Sequence, residues 1–267
     1  MPRFWDDAGR FLPWEDVPDH DNWDLKMAVY AAMVDRLDQN IGRLLARIRE
    51  LGQADNTLVV FLSDNGACAG THHYGATAKD EPSSGPGPMD SFHTYDSPWA
   101  DVSNTPFSGY KDTCYEGGNA TPFIVHWPAG LRQKPGAIAP DVASILDLAP
   151  TFYELAGAAY PAQRDGRPLP PLEGRSLAGL LRSGTHRGPD TLFWEYNEDR
   201  AARRGDWKIV GLPKKPWQLY HLGRDRGEQH DLASAHPGIV QDLVARWEAW
   251  AKRVGVDQLP AKKQTED

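Results

Sequence analysis

The junction around Gly52 constrains this chain more than any other feature. Upstream of it, apolar side chains stand at Trp23, Met27, Tyr30, Val34, Leu37, Ile41, Leu44, Ile48 and Leu51, in alternating steps of four and three. That spacing predicts a long amphipathic helix over residues 23–51, with Asn22 as N-cap and Gly52 just past its end. A coiled coil is the rival reading, because the spacing is also heptad-like. Downstream, residues 57–63 form a short run that is β-branched, aromatic and apolar on both faces. Such a run reads as a strand buried inside a parallel sheet. A helix followed directly by such a strand favours αβ connectivity over a free coiled coil.

The strand candidate ends in Asp64-Asn65-Gly66. In open α/β sheets, the C-terminal tips of strands are where ligands bind. A carboxylate beside a carboxamide offers adjacent oxygens suited to a hard cation such as Ca²⁺ or Mg²⁺, and the glycine permits a sharp turn and a close backbone approach to a ligand. The same three residues also make an ordinary strand-end turn.

Bulk properties exclude several classes. The 267 residues, 40% of them hydrophobic, suffice for a real core in one large domain or one and a half. The formal net charge is −8 and no basic stripe occurs, which argues against a nucleic-acid partner. No stretch is long and apolar enough to span a membrane, and the first residues contain no apolar signal segment. Cys68 and Cys114 fit no zinc spacing, and a bridge between them cannot be inferred from sequence.

Four regions follow from the pattern: an irregular lead-in over 1–22, an α/β core over 23–185, a C-terminal α+β subdomain over 186–257 and a polar tail over 258–267. Within the core, residues 66–109 read as a long Gly-, Pro-, Ser- and His-rich loop of the kind that is usually functional. Trp99, within it, could line a pocket or brace the loop. Residues 121–127 read as a second strand. Asp147 is placed to cap a short helix over 148–156, and 158–190 read as a Pro- and Gly-rich linker with a turn of helix near 176–181. The subdomain shows strand candidates at 191–196, 200–204, 207–210 and 218–222, the mark of a small antiparallel sheet. A final helix opens at Pro237 and runs to Val254.

A second chemistry-bearing segment is Tyr110-Lys111, followed by Glu116-Gly117-Gly118 and Thr121-Pro122. A lysine before a glycine turn can aim its ammonium into a cleft as a point charge for an anionic oxygen, or remain a solvated surface lysine. Taken in order, the strand with Asp64-Asn65-Gly66, then Ser103-Asn104-Thr105-Pro106, Lys111, Glu116-Gly117-Gly118, Asp147-Leu148-Ala149-Pro150-Thr151, Gly205-Asp206-Trp207-Lys208 and Asp225 with Glu228 resemble the arylsulfatase family, over most of the chain from about Asp24 to Ala251. The resemblance implies an alkaline-phosphatase-like α/β fold, a mixed sheet flanked by helices, with a small C-terminal antiparallel sheet and helix. It implies hydrolysis of sulfate esters, aryl or sugar, with Asp64 and Asn65 as ligands of a Ca²⁺ cofactor and Lys111 as a catalytic contact to the sulfate. His93, in a segment that covers the cleft in relatives, is a further substrate-contact candidate. Relatives are often periplasmic or secreted.

The resemblance also exposes a gap. The family's nucleophile is a formylglycine made from Cys/Ser-x-Pro/Ala-x-Arg, and no such pattern occurs in this chain. Asp6-Asp7 is too near the start to be the family's early Asp pair. The chain therefore resembles the C-terminal half of a sulfatase, and the expectation is an incomplete metal site, no catalysis by the polypeptide alone and low stability. A phosphodiesterase or phosphonate hydrolase of the same superfold is the alternative enzyme, though it tends to carry Asp-His where this chain has Asp64-Asn65. A non-catalytic binding module is the third reading. His72-His73, in the same Gly-rich loop, read as solvated side chains rather than ligands.

Overall fold

The computed structural model describes residues 4–5, 11–70, 85–89, 91, 93–186 and 188–256. Asp6, Asp7, His72, His73 and the 258–267 tail lie outside the described residues. The chain divides into two compact units, one of Met1–Arg36, Asn65–Thr121 and Thr191–Asp267, the other of Leu37–Asp64 and Pro122–Asp190. In chain order the elements are β1 (Phe4–Trp5), β2 (Phe11–Leu12), α1 (His20–Glu50), β3 (Val59–Leu62), α2 (Asp96–Ser103), α3 (Glu116–Asn119), β4 (Phe123–His126), α4 (Leu148–Leu155), β5 (Gln163–Arg164), β6 (Arg167–Pro168), α5 (Ala178–Ser183), β7 (Leu192–Tyr196), β8 (Asp199–Arg204), β9 (Trp207–Gly211), β10 (Gln218–His221) and α6 (Pro237–Val254). No described helix is long and apolar enough to cross a membrane.

In the first unit β7 to β10 form an antiparallel meander in sequence order. Its first turn places Asn197 and Glu198 both at positive φ, as a two-residue hairpin requires. Strand alternation then gives the sheet two working faces. Ala202, Ile209 and Leu219 pack against Leu243, Trp247 and Ala251 of α6. On the opposite face Ala201, Val210 and Tyr220 pack with Cys114, drawing residues 114–115 onto the sheet. Helix α6 starts with Pro237 in its first turn and ends at Gly255 in the left-handed conformation, matching the expected limits.

In the second unit β3 pairs with β4 antiparallel, Phe61 opposite Ile124, as a two-stranded sheet. This corrects the expectation of a strand buried in a parallel sheet: among the described residues neither strand has a buried side chain, and Phe61, Phe123 and Ile124 are 39%, 39% and 58% exposed. Asp147 also departs from its expected role. Its carboxylate accepts from Ser144 N at 2.8 Å, in a capping box around the turn Ile145–Asp147, and from Arg175 N at 2.7 Å, while Leu177 N donates to Thr151 Oγ1 at 2.8 Å. The Asp147 and Thr151 side chains thus fasten residues 175–177 to α4 instead of capping it.

Helix α1 begins three residues earlier than expected and places Asn22 inside its first turn. None of its residues is buried. Met33, Val34, Leu37 and Leu44 are 66%, 48%, 50% and 62% exposed. The periodicity correctly predicts an amphipathic helix. The expected burial of its apolar stripe against a sheet is not realised among the described residues.

Candidate functional site

The loops that carry Asn65 and Lys111 are stitched together within the first unit. Gly66 N donates to Gly118 O at 3.0 Å, and Lys111 N donates to Ala67 O at 2.9 Å. Asn104 braces the junction from one side, its Oδ1 accepting from Ala67 N and its Nδ2 donating to Gly109 O, each at 3.0 Å. Gly117 N donates to Ser108 O at 2.8 Å. The glycines are required by proximity. A Cβ on Gly66 would lie 1.8 Å from Gly117 O, one on Gly117 2.1 Å from Gly109 O, and one on Gly118 2.1 Å from Thr113 O. The close approach that Gly66 permits is thus to the backbone of Gly117, where the sequence suggests a ligand.

The expected site residues fall as follows. Asp64 is exposed in the bend after β3, in the second unit. Asn65 is half-buried in the first unit, and its Nδ2 donates to Gly66 O at 2.8 Å, which turns the amide's nitrogen toward the protein. Lys111 is half-buried, its backbone paired with a residue two positions beyond Asn65. His93 is half-buried just ahead of α2, on a segment tied down by Thr94 Oγ1 donating to Gly70 O at 3.1 Å and by Tyr95 stacking on Tyr30. Trp99 braces the same region: its Nε1 donates to Trp23 O at 2.9 Å. Both cysteines are free thiols. Among the described residues no group of three or more His, Cys, Asp and Glu side chains could hold a metal. Asp64 and Asn65 have the hard oxygen donors that Ca²⁺ takes, but supply only two of the roughly six to eight it needs.

Beneath the glycine loop lies a buried ion cluster whose members are scattered along the sequence. Lys208 Nζ is 3.0 Å from Glu116 Oε1 and 3.0 Å from Glu228 Oε1. Only the first contact has hydrogen-bond geometry; Glu228 Oε1 has none. Glu228 Oε2 instead accepts from Glu116 N at 2.5 Å. Arg226 and Arg203 approach Glu116 Oε2 at 3.2 and 3.8 Å. Burial would raise the Glu116 carboxyl, but Lys208, Arg203 and Arg226 outweigh it and hold the group below its ordinary range. Burial wins at Glu228, which is raised. The signal is legible in principle: Arg203 and Lys208 are cross-strand partners, and alternation puts them on the face that meets residues 114–116.

A sequence model of the Sulfatase family matches residues 10–158, more than half of the chain. The chain belongs to the sulfatase family. An uncharacterized sulfatase of Schizosaccharomyces pombe is 32% identical over 249 residues, 88% of this chain and 45% of the relative. The arylsulfatase of Klebsiella aerogenes is 36% identical over 201 residues, 72% of this chain and 40% of the relative. Human N-acetylgalactosamine-6-sulfatase is 29% identical over 260 residues, covering 88% of this chain and 44% of the relative. This sulfatase chain thus spans less than half the length of these curated relatives. Among solved structures, Ps i-CgsB in complex with k-i-k-neocarrahexaose superposes with a TM-score of 0.61 at 25% identity, over 88% of this chain and 47% of that one. The PsFucS1 sulfatase from Pseudoalteromonas sp. gives 0.57 at 20% identity, over 87% and 43% of the two chains, and supports the fold alone. The expected alkaline-phosphatase-like α/β class, with its small C-terminal antiparallel sheet, stands.

Proposed function

We propose that this chain carries the metal- and sulfate-binding part of a sulfuric ester hydrolase. The observation that carries the reading is the stitched loop pair, in which Lys111 N on Ala67 O holds the lysine's backbone beside the segment that begins with Asn65. In this reading Asp64 and Asn65 hold Ca²⁺ through side-chain oxygens, and the bound cation supplies Lewis-acid stabilisation of charge on sulfuryl oxygens. Lys111 contributes an ammonium to a sulfate oxygen, orienting the ester and offsetting charge that grows during S–O cleavage. The names of the relatives, an arylsulfatase and an N-acetylgalactosamine-6-sulfatase, support aryl and sugar sulfates as the substrate class.

The nucleophile is a separate matter. No Cys or Ser in the 267 residues stands in Cys/Ser-x-Pro/Ala-x-Arg. We therefore expect these residues on their own to bind sulfate without turning over an ester. The test is an assay of the purified chain with 4-nitrophenyl sulfate and Ca²⁺, alongside sulfate titration by calorimetry. The reading expects no multiple turnover, and sulfate binding that Lys111→Ala strongly weakens. Multiple turnover would overturn the expectation that these residues do not turn over an ester on their own. Sulfate binding unchanged in Lys111→Ala would overturn the role of the lysine.

A further inference from the structure

The C-terminal subdomain holds a pocket that the Lys111 reading does not use. Its volume is about 440 Å³, and it opens between the end of β10, the start of β9 and the start of α6. Three rings from three elements form its wall. Trp207 and His221 are cross-strand partners and meet edge to face at 4.7 Å, and His236 meets Trp207 at 5.1 Å from the residue before α6. Arg224 and His230, both exposed, line it too. Asp225 lines it between them: its carboxylate accepts from Gln229 N at 2.9 Å and His230 N at 2.8 Å, and its Oδ2 lies 3.5 Å from His230 Nδ1, contacts that fold residues 224–230 into a turn and leave the His230 Nε2 edge for a ligand.

We propose that this pocket binds an anionic sugar, its acidic group on Arg224 and its ring against the Trp207 wall. The volume is in the range of small-ligand pockets, which pair an apolar or aromatic lining with a few placed polar groups. A guanidinium matches a sulfate or carboxylate bidentately. The imidazoles of His221, His230 and His236 each offer a donor or an acceptor. An aryl anion has no hydroxyls to hydrogen-bond the imidazoles, whereas a sugar does; this favours a saccharide over an aryl compound. The proposal is independent of the Lys111 site.

The experiment uses the full chain carrying Lys111→Ala, so that the other sulfate site does not contribute, and measures binding of galactose 6-sulfate, galactose, inorganic sulfate and 4-nitrophenyl sulfate by calorimetry. Galactose 6-sulfate should bind saturably, and at least about tenfold more tightly than the other three, since each lacks either the anion or the hydroxyls. Adding Arg224→Ala should weaken it about tenfold or more, the usual loss for a charge-assisted contact. His230→Ala, at a second exposed position, should also weaken it. Absence of saturable binding, equal binding of inorganic sulfate or 4-nitrophenyl sulfate, or unchanged affinity in both variants would overturn the proposal.

Discussion

Lys208 and Glu116 meet at 3.0 Å with both side chains out of solvent, so that the glycine loop bearing Lys111 is anchored to the C-terminal sheet by a buried ion pair. Such a pair adds little net stability over an apolar isostere, but breaking it is expensive because a charge is left buried and alone. Lys208→Met should therefore destabilise the protein by about 3–5 kcal/mol. Glu116→Gln added to Lys208→Met should cost less than the sum of the single changes, measured by urea denaturation.

The two carboxylates of that cluster should respond to pH in opposite senses. Glu116 is held below its unfolded value, so its contribution is present above the ordinary carboxylate range and is lost as pH falls through the folded value. Glu228 is raised, so it favours folding at low pH, and that contribution is lost as pH rises through its folded value. Glu116→Gln should thus cost clearly more near neutral pH than in acid below the carboxylate range, and Glu228→Gln should not share that pattern. Equal pH dependence of the two variants in denaturation curves would contradict the assignment.

Glycine substitutions should differ in sign by location. Gly66→Ala and Gly117→Ala drive a Cβ into backbone oxygens at 1.8 and 2.1 Å and should lower stability by about 1–3 kcal/mol or more. Gly42 lies in the interior of α1, and a Cβ added there would meet nothing within 4 Å, so Gly42→Ala should gain about 0.5–1 kcal/mol. Thermal melts of the three variants decide this.

These contrasts mark what is legible in the chain. The β7–β10 meander and α6 can be located because their turns are local and carry their own signals, such as Gly205-Asp206 and Pro237. Helix α2 (Asp96–Ser103) hides inside an apparent loop, since eight residues with Pro98 among them give little periodicity. The pairing of β3 with β4 depends on distant partners, Phe61 and Ile124, and an apolar run does not state its partner's direction. Lys111 and Asp64-Asn65 can be nominated from residue type and order. The interlock of Gly66 with Gly117 cannot, because it is set by backbone approach between distant loops.

The cysteines should separate cleanly by reactivity. Cys114 is buried against the sheet, and burial, helped by the Asp199 charge, pushes its thiol up to about 12. Because the thiolate is the reactive form, Cys114 should resist iodoacetamide in mildly alkaline buffer in the native protein and react only on unfolding, while the exposed Cys68 is labelled. Native labelling of Cys114, read by peptide mass, would contradict its placement.

The measurement closest to the central claim is a Ca²⁺ titration of thermal stability. If Asp64 and Asn65 hold the cation, free Ca²⁺ at about ten times Kd should stabilise the chain by about 1.4 kcal/mol, roughly 3–5 °C in Tm. The rise should saturate, and Asp64→Ala and Asn65→Ala should each remove it. A flat titration, or the same rise in Asp64→Ala, would contradict the account.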